Sequence, residues 1–124
     1  MKERETGQKK VIFECIKGLH THPTAEEVYL LVKKEIPEIS LATVYRNLNL
    51  LSKKKQILRL EVNKEFRYDG DIKNHQHFIC KNCRKIIDLQ YPQLNNKIIK
   101  KTYLPNAKID SVDIIFNGLC EHCV

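Results

Sequence analysis

The sequence predicts an α+β protein with two parts. An N-terminal winged-helix domain (residues 1–69) is followed by a hinge (residues 70–74) and a small α/β domain with a Cys₄ zinc site (residues 75–124). Three observations predict this organisation. Three stretches with helical spacing of apolar residues precede two strand-like stretches in which apolar and charged residues alternate. A short polar segment follows them, and two C-x-x-C pairs lie beyond it.

The first two helices are predicted from apolar spacing and from a capping motif. Apolar residues recur at helical spacing over Lys9–Leu19, after a polar lead-in at residues 1–8. Thr24–Glu27 is a capping box, in which the threonine hydroxyl accepts from the glutamate amide and the glutamate side chain reaches back. The helix that it opens ends before Pro37. We expect its inward side chains to be Val28, Leu31 and Val32.

The third helix carries a polar outer face. Ser40 is its N-cap, and the helix is predicted to end near Lys53. Its buried stripe consists of Leu41, Val44, Leu48 and Leu51. Its outer faces carry Thr43, Tyr45, Arg46 and Asn49. Three compact helices, the last with a hydrogen-bonding face, fit a helix-turn-helix DNA-binding domain, although an ordinary solvated helix has the same pattern.

A β-hairpin after the third helix favours the DNA-binding interpretation. Apolar and charged residues alternate over Leu58–Val62 and again over Glu65–Asp69. Between them, Asn63-Lys64 suits a two-residue turn, although it lacks the glycine that a type I′ turn prefers. A hairpin directly after a recognition helix is a wing, so the first 69 residues are predicted to form a winged-helix domain.

The remaining residues predict a small β-α-β module. Strands are expected at Phe78–Ile79 and Ile86–Leu89, and a helix is expected from Leu94 to about Thr102. Apolar residues alternate over 112–116, which predicts a last strand leading to the second C-x-x-C pair. So small a module buries its own faces poorly, and zinc binding and dimerisation would both make up the deficit.

The two C-x-x-C pairs predict a structural zinc site. Its four ligands are Cys80, Cys83, Cys120 and Cys123. The 36 residues from Arg84 to Leu119 exceed the zinc-ribbon spacing of roughly 15–20, so a folded subdomain must lie between the pairs. Two redox pairs or a disulfide framework are the alternatives. The fifth cysteine, Cys15, lies among apolar residues and is predicted to be a small core residue.

Other features concern partners and location. His75 and His77 lie at positions i and i+2, so on a strand both imidazoles point to one face. Lys and Arg number 22 against 15 Asp and Glu, a net charge of +7 that favours a polyanionic partner. No apolar run is long enough for a membrane span. Nothing resembles a signal peptide, so we expect a cytoplasmic protein with no membrane partner.

Together these motifs resemble the ferric uptake regulator (Fur) family of bacterial metal-dependent repressors. The matching stretches are His22–Tyr29, Ala42–Leu48, Arg67–Asp69, His75–Cys83, Asp88 and Gly118–Cys123. The resemblance spans nearly the whole chain in the same order. It implies a homodimer with a winged-helix DNA-binding domain and a dimerisation domain. Such a dimer binds a palindromic operator in double-stranded DNA and represses genes of metal homeostasis or oxidative stress.

The resemblance also implies a regulatory metal site and its chemistry. The family's sensory ligands fall on His22, Asp69, His75, His77 and Asp88. Three imidazoles and two carboxylates suit a divalent ion such as Fe²⁺, Mn²⁺ or Zn²⁺, and we expect Fe²⁺ or Mn²⁺ there, beside the structural Zn²⁺. Aspartate at position 88, where iron- and zinc-sensing relatives often have glutamate, resembles the peroxide-sensing branch. The implied function is a repressor that senses peroxide through metal-catalysed oxidation of a ligand histidine.

Two positions depart from the family pattern, and three alternative functions stay open. Val112 stands where another family metal site has a histidine, and Arg84 replaces the glycine usual after the first C-x-x-C pair. Within the family, the alternative is an iron- or zinc-responsive repressor without peroxide sensing. Outside it, the alternatives are a C-x-x-C oxidoreductase or metal hydrolase, and a zinc-stapled dimerisation module without sensing. No nucleophile–base pair is recognisable, so we expect that the protein is not an enzyme.

Overall fold

The computed structural model describes residues 2–124, with side chains from residue 7 onward. The chain divides into two compact units, Met1–Ile72 and Lys73–Val124. Each unit combines helices with a separate β-sheet, which confirms the predicted α+β class. The domain limits inferred from the sequence and the hinge at residues 70–74 stay predictions.

Three helices form the core of the first unit: α1 (Lys2–Lys17), α2 (Ala25–Val32) and α3 (Leu41–Lys53). Both predicted N-caps are confirmed. The Thr24 hydroxyl accepts from the Glu27 amide at 3.2 Å, and the Ser40 hydroxyl accepts from the Thr43 amide at 3.1 Å. These bonds satisfy amides that have no partner within the first turn of a helix.

Two details of the helix prediction are wrong. The first helix begins at Lys2 rather than Lys9, so the residues of the expected lead-in are helical up to the limit of the described chain, and Met1 lies outside it. Leu31 is 40% exposed instead of buried. The buried side of α2 is made by Ala25, Val28 and Val32, and Leu31 lies outside this narrow stripe.

The predicted wing is an antiparallel hairpin of β1 (Leu58–Val62) and β2 (Glu65–Asp69). Asn63 and Lys64 at its turn have φ angles of 54° and 66°, as a type I′ turn requires even without glycine. Phe66, expected on the apolar face, is exposed at 41%, and the Arg59 guanidinium lies 4.2 Å from its ring centroid.

Gly70, directly after β2, passes very close to the first helix. A Cβ at this position would lie 2.7 Å from the Cα of Lys17 and 2.8 Å from the carbonyl oxygen of Ile16. Only glycine permits so close an approach of two backbones. The end of β2 is thereby held against α1, which fixes the position of Asp69.

The second unit contains β3 (Gln76–Cys80), β4 (Ile86–Leu89), α4 (Leu94–Lys101) and β5 (Ile115–Gly118). The strand order is β4-β3-β5, with β3 antiparallel to β4 and parallel to β5. The last strand begins at Ile115, later than the alternating pattern over residues 112–116 predicted. The Val112 carbonyl instead accepts from Asn95 Nδ2 of α4 at 3.0 Å, so this backbone is bound to the helix and not to the sheet.

A buried amide network connects β3 to the rest of the second unit. The Gln76 side chain is fully buried and donates to Asn95 Oδ1 at 2.7 Å and to the Tyr91 carbonyl at 2.8 Å. Its Oε1 accepts from the Tyr91 amide at 3.1 Å. Because each buried polar group has a partner, the network specifies one position for β3. Within residues 2–124, no helix has the length and hydrophobicity of a membrane span.

Candidate metal centres and nucleic-acid interface

Four thiol groups converge where β3 and β5 end in the second unit. The sulfurs of Cys80, Cys83, Cys120 and Cys123 lie within 4.8 Å of one another, and those of Cys83 and Cys120 are 3.7 Å apart. Tetrahedral zinc with Zn–S bonds of about 2.3 Å would hold its sulfurs about 3.8 Å apart, so this donor set fits zinc. All five cysteines are free thiols, and Cys15 lies half-buried against the core of the first unit.

Backbone and side-chain N–H groups donate hydrogen bonds to two of the four thiols. The amides of Cys120 and Cys83 donate to Cys80 Sγ at 3.4 and 3.5 Å, and they lower the pKa of the Cys80 thiol to about 5. Asn82 Nδ2 donates to Cys123 Sγ at 3.3 Å. Since the thiolate is the form that binds metal, the two amides favour the ligand form of Cys80.

Arg84 lies in a backbone conformation that favours glycine. The turn after the first C-x-x-C pair places Arg84 at a φ of 65°, and its amide donates to the Cys80 carbonyl at 2.9 Å. This left-handed conformation is unstrained for glycine and costs an arginine roughly 1–2 kcal/mol. The close packing of the two cysteine pairs maintains the turn in spite of that strain.

His22 and Asp69 form a buried pair within the first unit. His22 Nε2 lies 3.3 Å from Asp69 Oδ2, and both side chains are about 5% exposed or less. The loop that carries the histidine is bound to β2, because the Tyr68 amide donates to the Pro23 carbonyl at 2.9 Å and Arg67 Nη1 to the His22 carbonyl at 3.2 Å.

His22 also has a strained backbone. Its φ is 55°, in the left-handed region, although a following proline favours extended conformations. Such strain persists only where the surroundings hold it, and it is concentrated at functional sites. The pairing of His22 with Asp69 therefore depends on backbone bonds that the sequence alone does not reveal.

A second polar cluster, His75, His77 and Asp88, lies within the second unit. The two Nε2 atoms are 3.0 Å apart, and Asp88 Oδ1 lies 3.6 Å from that of His75 and 3.3 Å from that of His77. The β3–β4 register places His77 opposite Asp88. His75 Nδ1 is 2.7 Å from the Lys73 carbonyl oxygen. In the tautomer in which Nδ1–H donates to this carbonyl, the Nε2 lone pair faces the cluster. Two imidazole nitrogens and a carboxylate at this spacing suit a divalent cation.

The predicted DNA-contacting residues lie on the first turns and outer face of α3. Tyr45, Arg46 and Asn49 are exposed, whereas Thr43 is half-buried and its hydroxyl lies 2.9 Å from that of Ser40. Asn47, on the same helix, is buried, and its Nδ2 donates to the Thr43 carbonyl at 2.9 Å.

Tyr45 makes a contact that the sequence did not suggest. Its hydroxyl donates to Glu26 Oε1 at 2.7 Å, and this bond raises the pKa of Tyr45 to about 12. Because 19 residues separate the pair, only the packing of α2 on α3 brings them together.

A three-helix domain with a hairpin wing, joined to an α/β unit with a Cys₄ cluster, defines the class of metal-binding winged-helix regulators. The profile of the ferric uptake regulator family matches residues 2–117. The chain therefore belongs to the ferric uptake regulator family, whose members are DNA-binding, typically dimeric transcriptional regulators and not enzymes.

Individual relatives support this assignment. The chain is 34% identical over 121 residues to the peroxide-responsive repressor PerR of Staphylococcus aureus (strain USA300), covering 97% of this chain and 82% of the relative. The Campylobacter jejuni peroxide stress regulator is similar with a TM-score of 0.80 and 30% identity, over 97% of this chain and 91% of that one. The Helicobacter pylori Fur structure, with three functional metal binding sites, has a TM-score of 0.76 and 30% identity, over 94% of this chain and 79% of that one.

Proposed function

We propose that this protein is a metal-dependent DNA-binding repressor that senses peroxide through oxidation of a ligand histidine. The observation that carries the proposal is the His75–His77–Asp88 cluster, whose two imidazoles and one carboxylate are three of the five proposed ligands. Similarity to the Staphylococcus aureus peroxide-responsive repressor and to the Campylobacter jejuni peroxide stress regulator supports the choice of signal.

One ion held by both polar clusters would complete the site. The ligands are His22 and Asp69 from the first unit, and His75, His77 and Asp88 from the second. Three imidazoles with two carboxylates suit Fe²⁺ or Mn²⁺, and they leave one position open on an ion that prefers six ligands. An ion bound from both units couples metal occupancy to their arrangement. Moving such an equilibrium from 1:99 to 99:1 needs about 5.5 kcal/mol of differential binding.

Fe²⁺ bound at this site would supply the reaction with hydrogen peroxide. The contribution of the chain is an imidazole beside the ion: a ring C–H of His22 or His75 becomes C–OH, and the second peroxide oxygen leaves as water. The modified ring is a poorer ligand, so metal and DNA are released. The thiolates are protected if zinc coordinates all four of them.

In DNA binding, we assign α3 to the major groove of a palindromic operator. Tyr45, Arg46 and Asn49 are its exposed contacts, and Thr43 lies at its start. We assign homodimerisation to the second unit, whose edge strand β5 exposes Ile115 and Phe116 by 38% and 43%. A cytoplasmic location follows from this role.

A mobility-shift experiment tests the function. An operator is first selected from a randomised duplex library with the Mn²⁺-loaded protein. Binding is then measured with Fe²⁺, Mn²⁺ or Zn²⁺, each with and without dilute peroxide, and peptides are analysed by mass spectrometry. We expect peroxide to abolish binding only for the Fe²⁺ form, with one oxygen added to His22 or His75.

Variants provide matched controls. His22→Ala should abolish the peroxide response and weaken metal-dependent binding, whereas His20→Ala, an exposed histidine two residues away, should change neither. Asp88→Glu should blunt the response without removing metal-dependent binding, because it lengthens one ligand arm by a methylene. Oxidation confined to the four clustered cysteines would contradict the histidine mechanism.

The second candidate is an iron- or zinc-responsive repressor without peroxide sensing. The similarity to the Helicobacter pylori Fur structure favours it. It predicts the same metal-dependent operator binding with no effect of dilute peroxide on the Fe²⁺ form, so the same experiment separates the two candidates.

A further inference from the structure

The contact between Tyr45 and Glu26 joins the start of the recognition helix to the first turn of α2. Tyr45 Oη and Glu26 Oε1 are 2.7 Å apart, a short distance that indicates a charge-assisted hydrogen bond. Both residues lie at the surface, and the Tyr45 side chain is only 37% exposed. The tyrosine is therefore held in one position on an otherwise accessible face.

The bond also decides what the tyrosine hydroxyl can offer to a ligand. A phenol has a single proton to donate and two lone pairs to accept with. Since the phenol O–H of Tyr45 is donated to the Glu26 carboxylate, the hydroxyl can interact with a further ligand only through its accepting lone pairs. A hydroxyl in this state accepts from an N–H group, but it donates neither to a phosphate nor to a base carbonyl.

The surroundings argue against a phosphate partner. Tyr45 and Glu26 line a groove of about 490 Å³ between the start of α2 and the turn of the wing. Its other lining residues are Thr24, Ala25, Asn63, Lys64, Glu65 and Phe66. Two carboxylates against one ammonium group make this groove unfavourable for an anion. Tyr45 is therefore better suited to a base edge than to the DNA backbone.

We propose that Glu26 is a specificity-determining residue for DNA, because it holds the proton of Tyr45 and leaves that hydroxyl as an acceptor for a base amino group. In the major groove, adenine N6 and cytosine N4 present such donors, whereas guanine and thymine present acceptors at the corresponding positions. The pair therefore selects adenine or cytosine at the contacted position of each half-site. This inference rests on the proposed function, in which α3 enters the major groove.

The test measures base preference with the full-length Mn²⁺-loaded protein. The selected operator and a panel of duplexes with each base pair replaced in turn compete for wild type and variants. We expect wild type to prefer adenine or cytosine by about tenfold at one position in each half-site, and Tyr45→Phe to lose this preference. Glu26→Ala should lose it too, because the freed hydroxyl can then donate to thymine, guanine or phosphate.

Three further variants separate the hydrogen bond from charge and from helix stability. Glu26→Gln removes the charge but keeps an oxygen acceptor, so it should retain most of the tenfold preference. Glu26→Ala in a Tyr45→Phe background should change base preference no further, although the lost charge should alter affinity for all sequences alike. Glu65→Gln removes a charge from the same groove, and it should change affinity for all sequences alike. Zinc content and melting temperature verify that each variant is folded.

The outcomes are distinguishable. Equal behaviour of Glu26→Gln and Glu26→Ala, or a uniform effect of Glu26→Ala on all duplexes, would overturn the proposal in favour of simple electrostatics. An undiminished effect of Glu26→Ala on base preference in the Tyr45→Phe background would mean that the residue acts through helix stability. If Tyr45→Phe and Tyr45→Ala leave base preference unchanged, the inference fails while the proposed function stands. If no metal form binds DNA, the proposed function itself fails.

Discussion

The two units of this protein are stabilised by different means. In the first unit, buried apolar side chains of three helices and the wing form one continuous core. In the second, the only buried apolar side chains among the described residues are Ile79, Cys80 and Cys120, and two of these are candidate zinc ligands. Its other fully enclosed groups are polar, above all Gln76 and Asn95.

The two units are therefore vulnerable to different losses. Burial of an apolar side chain contributes roughly 1.5–3 kcal/mol, and the first unit has many such groups. A unit with so few of them depends on metal–thiolate bonds and on a fully bonded polar network. We therefore expect loss of zinc to unfold the second unit selectively, and loss of a core side chain to affect mainly the first.

The largest effect is expected from Cys120→Ser. Apparent zinc binding of about 10–16 kcal/mol matches or exceeds the whole stability of a small domain, so the second unit should lose zinc, structure and dimerisation. Hydrogen exchange read by mass spectrometry should show unprotected amides in β3–β5 and retained protection in α1–α3. The same substitution at Cys15, outside the cluster, is the control. A variant that keeps its zinc and remains a folded dimer would contradict the Cys₄ assignment.

A substitution in the first core should have the opposite selectivity. Leu48 is fully buried in α3, and Leu48→Ala should cost about 2–5 kcal/mol through lost burial and a cavity. Urea unfolding should show the loss in the first unit, while zinc content stays unchanged. Leu50→Ala, on the same helix but 42% exposed, should cost less than about 1 kcal/mol. Equal costs at the two positions would argue against this packing of α3.

The polar network offers a finer test of the second unit. Gln76→Leu keeps a similar volume but leaves Asn95 Oδ1 and the backbone groups of Tyr91 without their partner. Loss of these bonds should cost about 1–3 kcal/mol, measured by denaturant unfolding of the zinc-loaded protein. Gln90→Leu, at an exposed position, provides the comparison. Unchanged stability in Gln76→Leu would mean that zinc alone holds this unit.

The smallest predicted effect lies in the first core. The hydroxyl of Tyr68 is buried without a hydrogen-bond partner among the described residues, and burial raises the pKa of this tyrosine. Tyr68→Phe should therefore stabilise the first unit by about 1 kcal/mol or less, seen as a higher urea midpoint. Tyr29→Phe, at a half-buried position, should change the free energy of unfolding by less than about 0.5 kcal/mol. A destabilised Tyr68→Phe would reveal a hidden partner for the hydroxyl.

Sequence predicted the features that depend on local chemistry. The Thr24 cap, the Asn63-Lys64 turn and the spacing of Cys80 with Cys83 each act within a few residues, so their residue types define them. The i, i+2 spacing of His75 and His77 likewise placed both rings on one face of β3, where their Nε2 atoms are 3.0 Å apart.

Features set by contacts between distant segments were not predictable in this way. Alternation over residues 112–116 looked like a strand, but the Asn95 side chain takes the carbonyl of Val112. The exposure of Leu31 depends on how α2 packs, and no pattern within that short helix shows it. The pairing of His22 with Asp69 was reached only through family resemblance, and the Glu26–Tyr45 bond was not foreseen at all.

The parallel pairing of β3 with β5 has a consequence for how the chain folds. It brings Cys80 beside Cys120, 40 residues later, whereas the helices and hairpin of the first unit form mostly between near neighbours in sequence. Pairing across so long a loop carries a larger entropic barrier, and parallel strands form late. During synthesis, the winged-helix unit can therefore close while the last cysteine pair is still inside the ribosome. We therefore expect an interval in synthesis in which the first unit is folded while the Cys₄ cluster is still incomplete.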